Sequence, residues 1–193
     1  MKNKNLYLEK VNLSNEALQT LREYLDYDFP FMSRPPFRIM KSWLKKDKMH
    51  GVFLTDGTER YGYALYKERT EYNVLHVSYL AILPKFQSSG YGGNLIALLK
   101  EISPGSSIFL EVEDPDSTKE AEDRILRLRR ISFYEKHGFT IFPNVKMHHF
   151  GYPMRIMSYG PKPHISLKKL LQKLFLPLYG PIFTQLVIRT KNY

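Results

Sequence analysis

The chain has 193 residues, 43% hydrophobic and 14% aromatic, enough for one domain with a full apolar core and too much for a disordered protein. It contains no cysteine, which excludes disulfides, thiolate metal sites and a thiol nucleophile. The formal net charge of +10 invites a polyanionic partner, although general solubility accounts for it as readily.

Lys2 and Lys4 precede an alternation of polar and apolar residues without an apolar h-region, so no signal peptide is read and a cytoplasmic location is expected. Residues 6–8 form a short strand, and Ser14 is placed to cap an amphipathic helix over 15–25. Residues 29–36 cannot be helical, because their prolines remove donors and push the preceding residues towards extended conformations. A loop with exposed aromatics is expected there, followed by a short helix over 37–46. Two strands, 49–55 and 60–68, are joined across Asp56-Gly57, the dipeptide that favours a tight hairpin. They lead to a third antiparallel strand, 74–82. A helix over 94–102, a strand over 107–113 and a basic helix from about 120 to 137 follow, the last with Gly138 at its C-terminal cap. Residues 146–150 and 154–159 are candidate paired strands. In the tail, Leu167, Leu170, Leu171, Leu174 and Phe175 recur at helical spacing, while Pro177 and Pro181 break the run. Two short helices packed on the domain or on a second subunit are therefore expected, with membrane-surface and membrane-spanning readings as alternatives.

The most informative segment lies between the third strand and the helix that follows. Gln87, Ser88, Ser89, Gly90, Tyr91, Gly92 and Gly93 come after a Pro-ended strand and open directly into a helical run. That order converges backbone N–H groups at a helix N-terminus, a place for a pyrophosphate, and glycine lets the backbone approach the phosphates. A Gly-rich helix start without a ligand is the plain alternative. A Walker loop is excluded because Gly93 is followed by Asn94 and Leu95 in place of Lys and Ser or Thr. A dinucleotide fingerprint is excluded because Leu95 stands where its third glycine belongs.

The spacing Gln87-Ser88-Ser89-Gly90-Tyr91-Gly92 resembles the acyl-CoA loop of the GNAT superfamily of N-acetyltransferases. About forty residues on, Phe133-Tyr134-Glu135-Lys136-His137-Gly138-Phe139 is similar to that family's second signature, in the family's order. The resemblance covers roughly residues 6–158. It departs at Arg127, where many members carry an Asn that binds the pantetheine arm, and at Arg130, which replaces a small residue. It implies an α/β GNAT fold, a mixed central sheet of about six or seven strands flanked by helices, with an extra C-terminal helical tail. The domain would span residues 1–160, and 161–193 would form a basic, apolar extension.

The resemblance further implies acetyl-CoA as co-substrate and direct attack by an amine. Backbone N–H groups of Ser89, Gly90, Tyr91, Gly92 and Gly93 would hold the pyrophosphate, and Leu80, Ala81 and Ile82 would pair with pantetheine like an added strand, with an N–H near Leu80 polarising the acetyl carbonyl. Tyr134 is the candidate acid for the departing thiolate. It lies about 60° round its helix from Ile131, at the margin of an apolar arc of Ile125, Leu128 and Ile131, where a ring can be buried while its hydroxyl reaches a cleft. An ordinary core tyrosine is the alternative. Glu111 and Glu113 share one face of their strand, and either could take the ammonium proton if partial burial raised its pKa. A solvent-exposed strand face or a water relay would leave both uninvolved.

The six histidines show no metal-ligand spacing, and no metal is expected; packing or surface roles are read for all of them. Arg127, Arg129 and Arg130 read as a solvated basic face that could also steer an anionic cofactor. The acceptor would be a small-molecule or peptide amine entering over residues 29–36. A homodimer is open, no nucleic-acid partner is expected, and a membrane surface is the lesser reading. The rival function is a non-catalytic acyl-CoA-binding sensor or interaction module, which would keep the loop but need neither Tyr134 nor a carboxylate.

Overall fold

The computed structural model describes residues 5–192. Lys2 and Lys4, on which the leader reading rested, lie outside the described residues. The fold is α/β, a mixed sheet of eight strands flanked by helices, with a C-terminal helix before the last strand. The chain divides into two compact units, and the division falls inside the third of the expected central strands.

The first unit comprises the chain up to Lys67 and Val77–Pro104. Its strands are β1 (Tyr7–Lys10), β2 (His50–Thr55), β3 (Arg60–Arg69, to Lys67) and the second part of β4 (Val74–Ile82). β1 pairs antiparallel with β2, and β2 with β3. The hairpin turn is held by Asp56, whose Oδ1 accepts from the backbone N–H of Thr58 and Glu59, both at 3.0 Å. Helix α1 (Asn15–Asp28) starts where Ser14 Oγ accepts from Ala17 N, and buries Leu18, Leu21 and Leu25 at the 3–4 residue spacing of one helix face. A single 3₁₀ turn, Phe31–Ser33, and α2 (Phe37–Lys45) follow, and Phe31 and Met32 are 66% and 71% exposed. Helix α3 (Tyr91–Ile102) begins three residues earlier than the sequence pattern indicated, inside the Gly-rich segment.

The second unit comprises Glu68–His76 and Gly105–Tyr193, of which the structure describes residues up to 192. It holds β5 (Ser107–Glu113), α4 (Ala121–Lys136), β6 (Thr140–His149), β7 (Tyr152–Tyr159), α5 (Leu167–Val187) and β8 (Ile188–Asn192), and its strands run in the order β5-β7-β6-β8. The tail is helical as expected, broken at Gly180, whose φ of 73° and ψ of 172° are not helical and which stands between Pro177 and Pro181. The eighth strand was not anticipated: residues 188–192 pair antiparallel with β6. Leu170, Leu171, Leu174 and Phe175 are buried with Val74, Phe109, Met147 and Ile156, so the extension completes this unit's core. Among the described residues no helix is long and apolar enough to cross a membrane. The apolar arc expected on α4 is only partly buried: Ile131 and Tyr134 are inside, whereas Ile125 and Leu128 are exposed.

Candidate functional site

In the first unit the end of β4 runs through Leu80, Ala81 and Ile82, each half-buried, into a 3₁₀ turn at Pro84–Phe86 and then the exposed residues 87–90. Two side chains shape this turn. Gln87 donates from Nε2 to the Ile82 carbonyl at 3.0 Å, tying the loop to the strand end, and Ser89 Oγ donates to the Gln87 carbonyl at 3.3 Å. Ser88 and Gly90 both have positive φ, 61° and 86°, and Gly90 is the residue immediately before α3. Those angles turn successive N–H groups to one side, the geometry of an anion nest.

The N–H groups of Ser89, Gly90, Tyr91 and Gly92 have no protein partner among the described residues. Gly93 differs from expectation: its N–H already donates to the Gly90 carbonyl at 3.1 Å, as the first turn of α3 closes. The Tyr91 ring stacks on Tyr61 of β3 at 4.3 Å, and Tyr61 in turn donates to Asp56 Oδ2 at 2.6 Å. The start of α3 is thereby fixed to the hairpin, and four free donors at a helix N-terminus can bind an anionic oxygen without any cationic side chain.

In the second unit Tyr134 sits on the last turn of α4, its ring edge-on to Phe133 and Phe139 at 5.1 and 5.6 Å. Burial pushes its hydroxyl pKa up to about 12 against a smaller downward pull from Arg130, so it stays protonated at neutral pH. The hydroxyl makes no hydrogen bond to protein among the described residues. Arg130, one turn before Tyr134, is ion-paired with Glu113 at the end of β5. The structure therefore brings Glu113 and Tyr134 into one neighbourhood through Arg130. Arg127 is engaged locally: it pairs with Asp123 at 2.8 Å and donates to the Asp114 carbonyl and to Ser117 Oγ, both at 2.8 Å. Its guanidinium pins α4 to the turn after β5, so steering of a cofactor is not its evident role.

Glu111 departs furthest from its sequence reading. It is not on an exposed strand face: its Oε1 faces His76 Nε2 at 3.1 Å and its Oε2 faces His149 Nδ1 at 2.6 Å. Burial alone would raise its pKa, but His149 and then His76 outweigh that and hold it well below the usual carboxylate range. The raised pKa that a proton acceptor needs is absent here. The two histidines bond different oxygens of one carboxylate and do not converge on a common point. Among the described residues no group of three His, Cys, Asp or Glu is arranged to hold a metal ion. His76 and His149 were not singled out from the sequence for this role. The available signal was His76, the one histidine in the apolar run of β4, together with Glu111 flanked by Leu110 and Val112 on β5, since buried polar groups need partners.

The family described as the acetyltransferase (GNAT) family matches residues 17–139. A protein from Bacteroides thetaiotaomicron assigned to the GNAT family is similar in structure with a TM-score of 0.76 at 22% identity, over 90% of this chain and 98% of that one. A Bacillus subtilis acetyltransferase in complex with CoA aligns with a TM-score of 0.54 at 16% identity, over 82% of this chain and 100% of that one. The spermidine N-acetyltransferase of Vibrio cholerae gives 0.60 at 15% identity, over 81% and 94%. At these identities the likeness is one of fold. No curated protein sequence matches the chain.

Proposed function

Because the chain belongs to the GNAT family of acetyltransferases, we propose that it transfers an acetyl group from acetyl-CoA to the amine of a small molecule or peptide by direct attack. The observation that carries this reading is the row of four N–H groups, Ser89 to Gly92, at the start of α3, which have no protein partner among the described residues. They would hold the pyrophosphate, with residues 80–82 taking the pantetheine arm. Two similar structures, one in complex with CoA and one a spermidine N-acetyltransferase, support CoA use and an amine acceptor.

Positioning accounts for much of the rate, since a thioester held against an amine reacts as one molecule. Tyr134, protonated at neutral pH and without a hydrogen-bond partner among the described residues, is the proposed acid that protonates the leaving thiolate. Glu111 is set aside as a base, because its charge is held by two histidines. Residues 1–160 would form the acetyltransferase domain, with 161–193 as its extension.

The test combines thermal melts with and without acetyl-CoA and a free-thiol release assay over a panel of amines. Acetyl-CoA is expected to raise the melting temperature, by mass action on the folded state. Tyr134→Phe should keep that shift while lowering kcat on the order of 10². A wild-type kcat in Tyr134→Phe, with chemistry limiting, removes the acid role. Tight acetyl-CoA binding without turnover of any amine favours the sensor reading.

A further inference from the structure

Asp28 is the last residue of α1, a position where the helix presents its negative end and a second negative charge is opposed. It is half-buried, and burial raises its pKa above the ordinary value despite a hydrogen bond from Tyr63 that pulls it down. That bond, from Tyr63 Oη to Asp28 Oδ2 at 2.8 Å, is the only polar contact of the side chain among the described residues. Oδ1 is thus free. The nearby cation does not neutralise it: Arg34 is buried, ion-paired with Asp26 and bonded to the Phe29 carbonyl at 3.2 Å.

The surroundings are aromatic. Tyr63, fully buried on β3, stacks on Tyr24 of α1 at 5.8 Å, and Phe29 meets Tyr79 of β4 edge-on at 5.0 Å. Tyr79 precedes Leu80, the start of the segment proposed to hold the pantetheine arm, and all of these residues belong to the first unit. A carboxylate with one open oxygen, set at an unfavourable helix end beside an aromatic cluster, is a receptor for an alkylammonium, which supplies charge, donors and a cation for nearby rings. The β5 carboxylates differ in that their charge already faces a cationic or histidine partner, Glu111 at both oxygens through two histidines and Glu113 at one oxygen through Arg130.

We infer that Asp28 docks the ammonium group of the acceptor and takes its proton, so that the acceptor is a primary alkylamine that enters as a cation. This rests on the acetyltransferase reading above. One proton passes from the ammonium nitrogen to Asp28 and then to water. The neutral nitrogen forms the C–N bond to the acetyl carbon, and the C–S bond breaks with its electron pair on sulfur. The second proton lost by the nitrogen balances the one that Tyr134 gives to sulfur.

The test titrates butylamine, phenethylamine and alaninamide, each against its hydroxyl analogue, into the protein and follows binding by NMR. Wild type is expected to bind at least one amine about tenfold or more tightly than its analogue, and Asp28→Asn to abolish that difference. Asp28→Asn keeps an acceptor for Tyr63. Because the folded state raises the Asp28 pKa, its charge opposes folding once pH exceeds that pKa, so the variant should be no less stable than wild type at neutral pH. Asp28→Glu, which restores the charge, should recover part of the preference. If wild type binds every amine no better than its analogue, or Asp28→Asn keeps the preference, the inference is overturned. A wild-type protein that does not respond to acetyl-CoA in thermal melts overturns the transferase reading instead, and the amine preference still reports on Asp28.

Discussion

At the residue scale, Glu111 shows how a carboxylate's surroundings decide its role. Its pKa is pushed up by burial and down more strongly by His149 and His76. The folded-state pKa therefore lies below the ordinary 4.5, and the linked stability is present above that value and lost as pH falls through the folded pKa. Glu111→Ala removes the carboxylate that faces the buried His76 and the half-buried His149 and should cost on the order of 3 kcal/mol at neutral pH. Urea titrations from pH 7 down to about 3 check this, with the gap between wild type and variant narrowing below about 4.5. An unchanged midpoint at pH 7 would mean that the cluster contributes nothing to stability. Tyr134 is the opposite case, because burial without a hydrogen-bond partner among the described residues keeps its proton in place.

At the scale of elements, the loop proposed to hold the cofactor depends on a glycine outside it. Gly62 on β3 lies so close to the end of β4 that an added Cβ would stand 2.5 Å from the Ala81 carbonyl oxygen and 2.7 Å from Ile82 Cδ1. Backbone must move to admit it. Gly62→Ala should therefore displace residues 81–82, lower stability by about 1–3 kcal/mol and weaken acetyl-CoA binding, whereas a purely structural role would change only the first. Isothermal titration with acetyl-CoA beside a thermal melt separates the two outcomes. The same strand pair is bonded by Leu83 N to the Tyr61 carbonyl at 2.9 Å, so the loop leaves β4 from a fixed point. Helix α4 is held differently, by Arg127, which donates to the carbonyl of Asp114 in the turn after β5, a residue itself ion-paired with Arg155 of β7 at 2.9 Å.

At the scale of the whole chain, the extension after Gly160 belongs to the core of the second unit. Leu170, Leu171, Leu174 and Phe175 are each at most 2% exposed. At about 2 kcal/mol per buried side chain they contribute roughly 8 kcal/mol, comparable with the entire stability of a typical domain, about 5–15 kcal/mol. Truncation after Gly160 should abolish a cooperative melt of this unit, observed as loss of near-UV circular dichroism. An unaltered melt would show that the extension is peripheral. The exposed Lys162, Lys168, Lys169 and Lys173 lie in the same segment and concentrate positive charge on it.

Local pattern sufficed for much of this protein. Alternation and turn residues placed β2 to β5, Ser14 placed the start of α1, and the glycines after Gln87 marked the turn that leads into α3, because each of these is set by neighbours within a few residues. What the tertiary structure alone decided involves residues far apart in the chain. Glu111 meets His76 and His149 across 35 and 38 positions, and Asp28 meets Tyr63 across 35. The same holds for β8, whose register comes from β6, and for the exposure of Ile125 and Leu128, which helical periodicity alone would have buried. Side-chain period fixes which face a residue occupies; what covers that face, and which charges it meets there, is set by long-range pairing that no local spacing encodes.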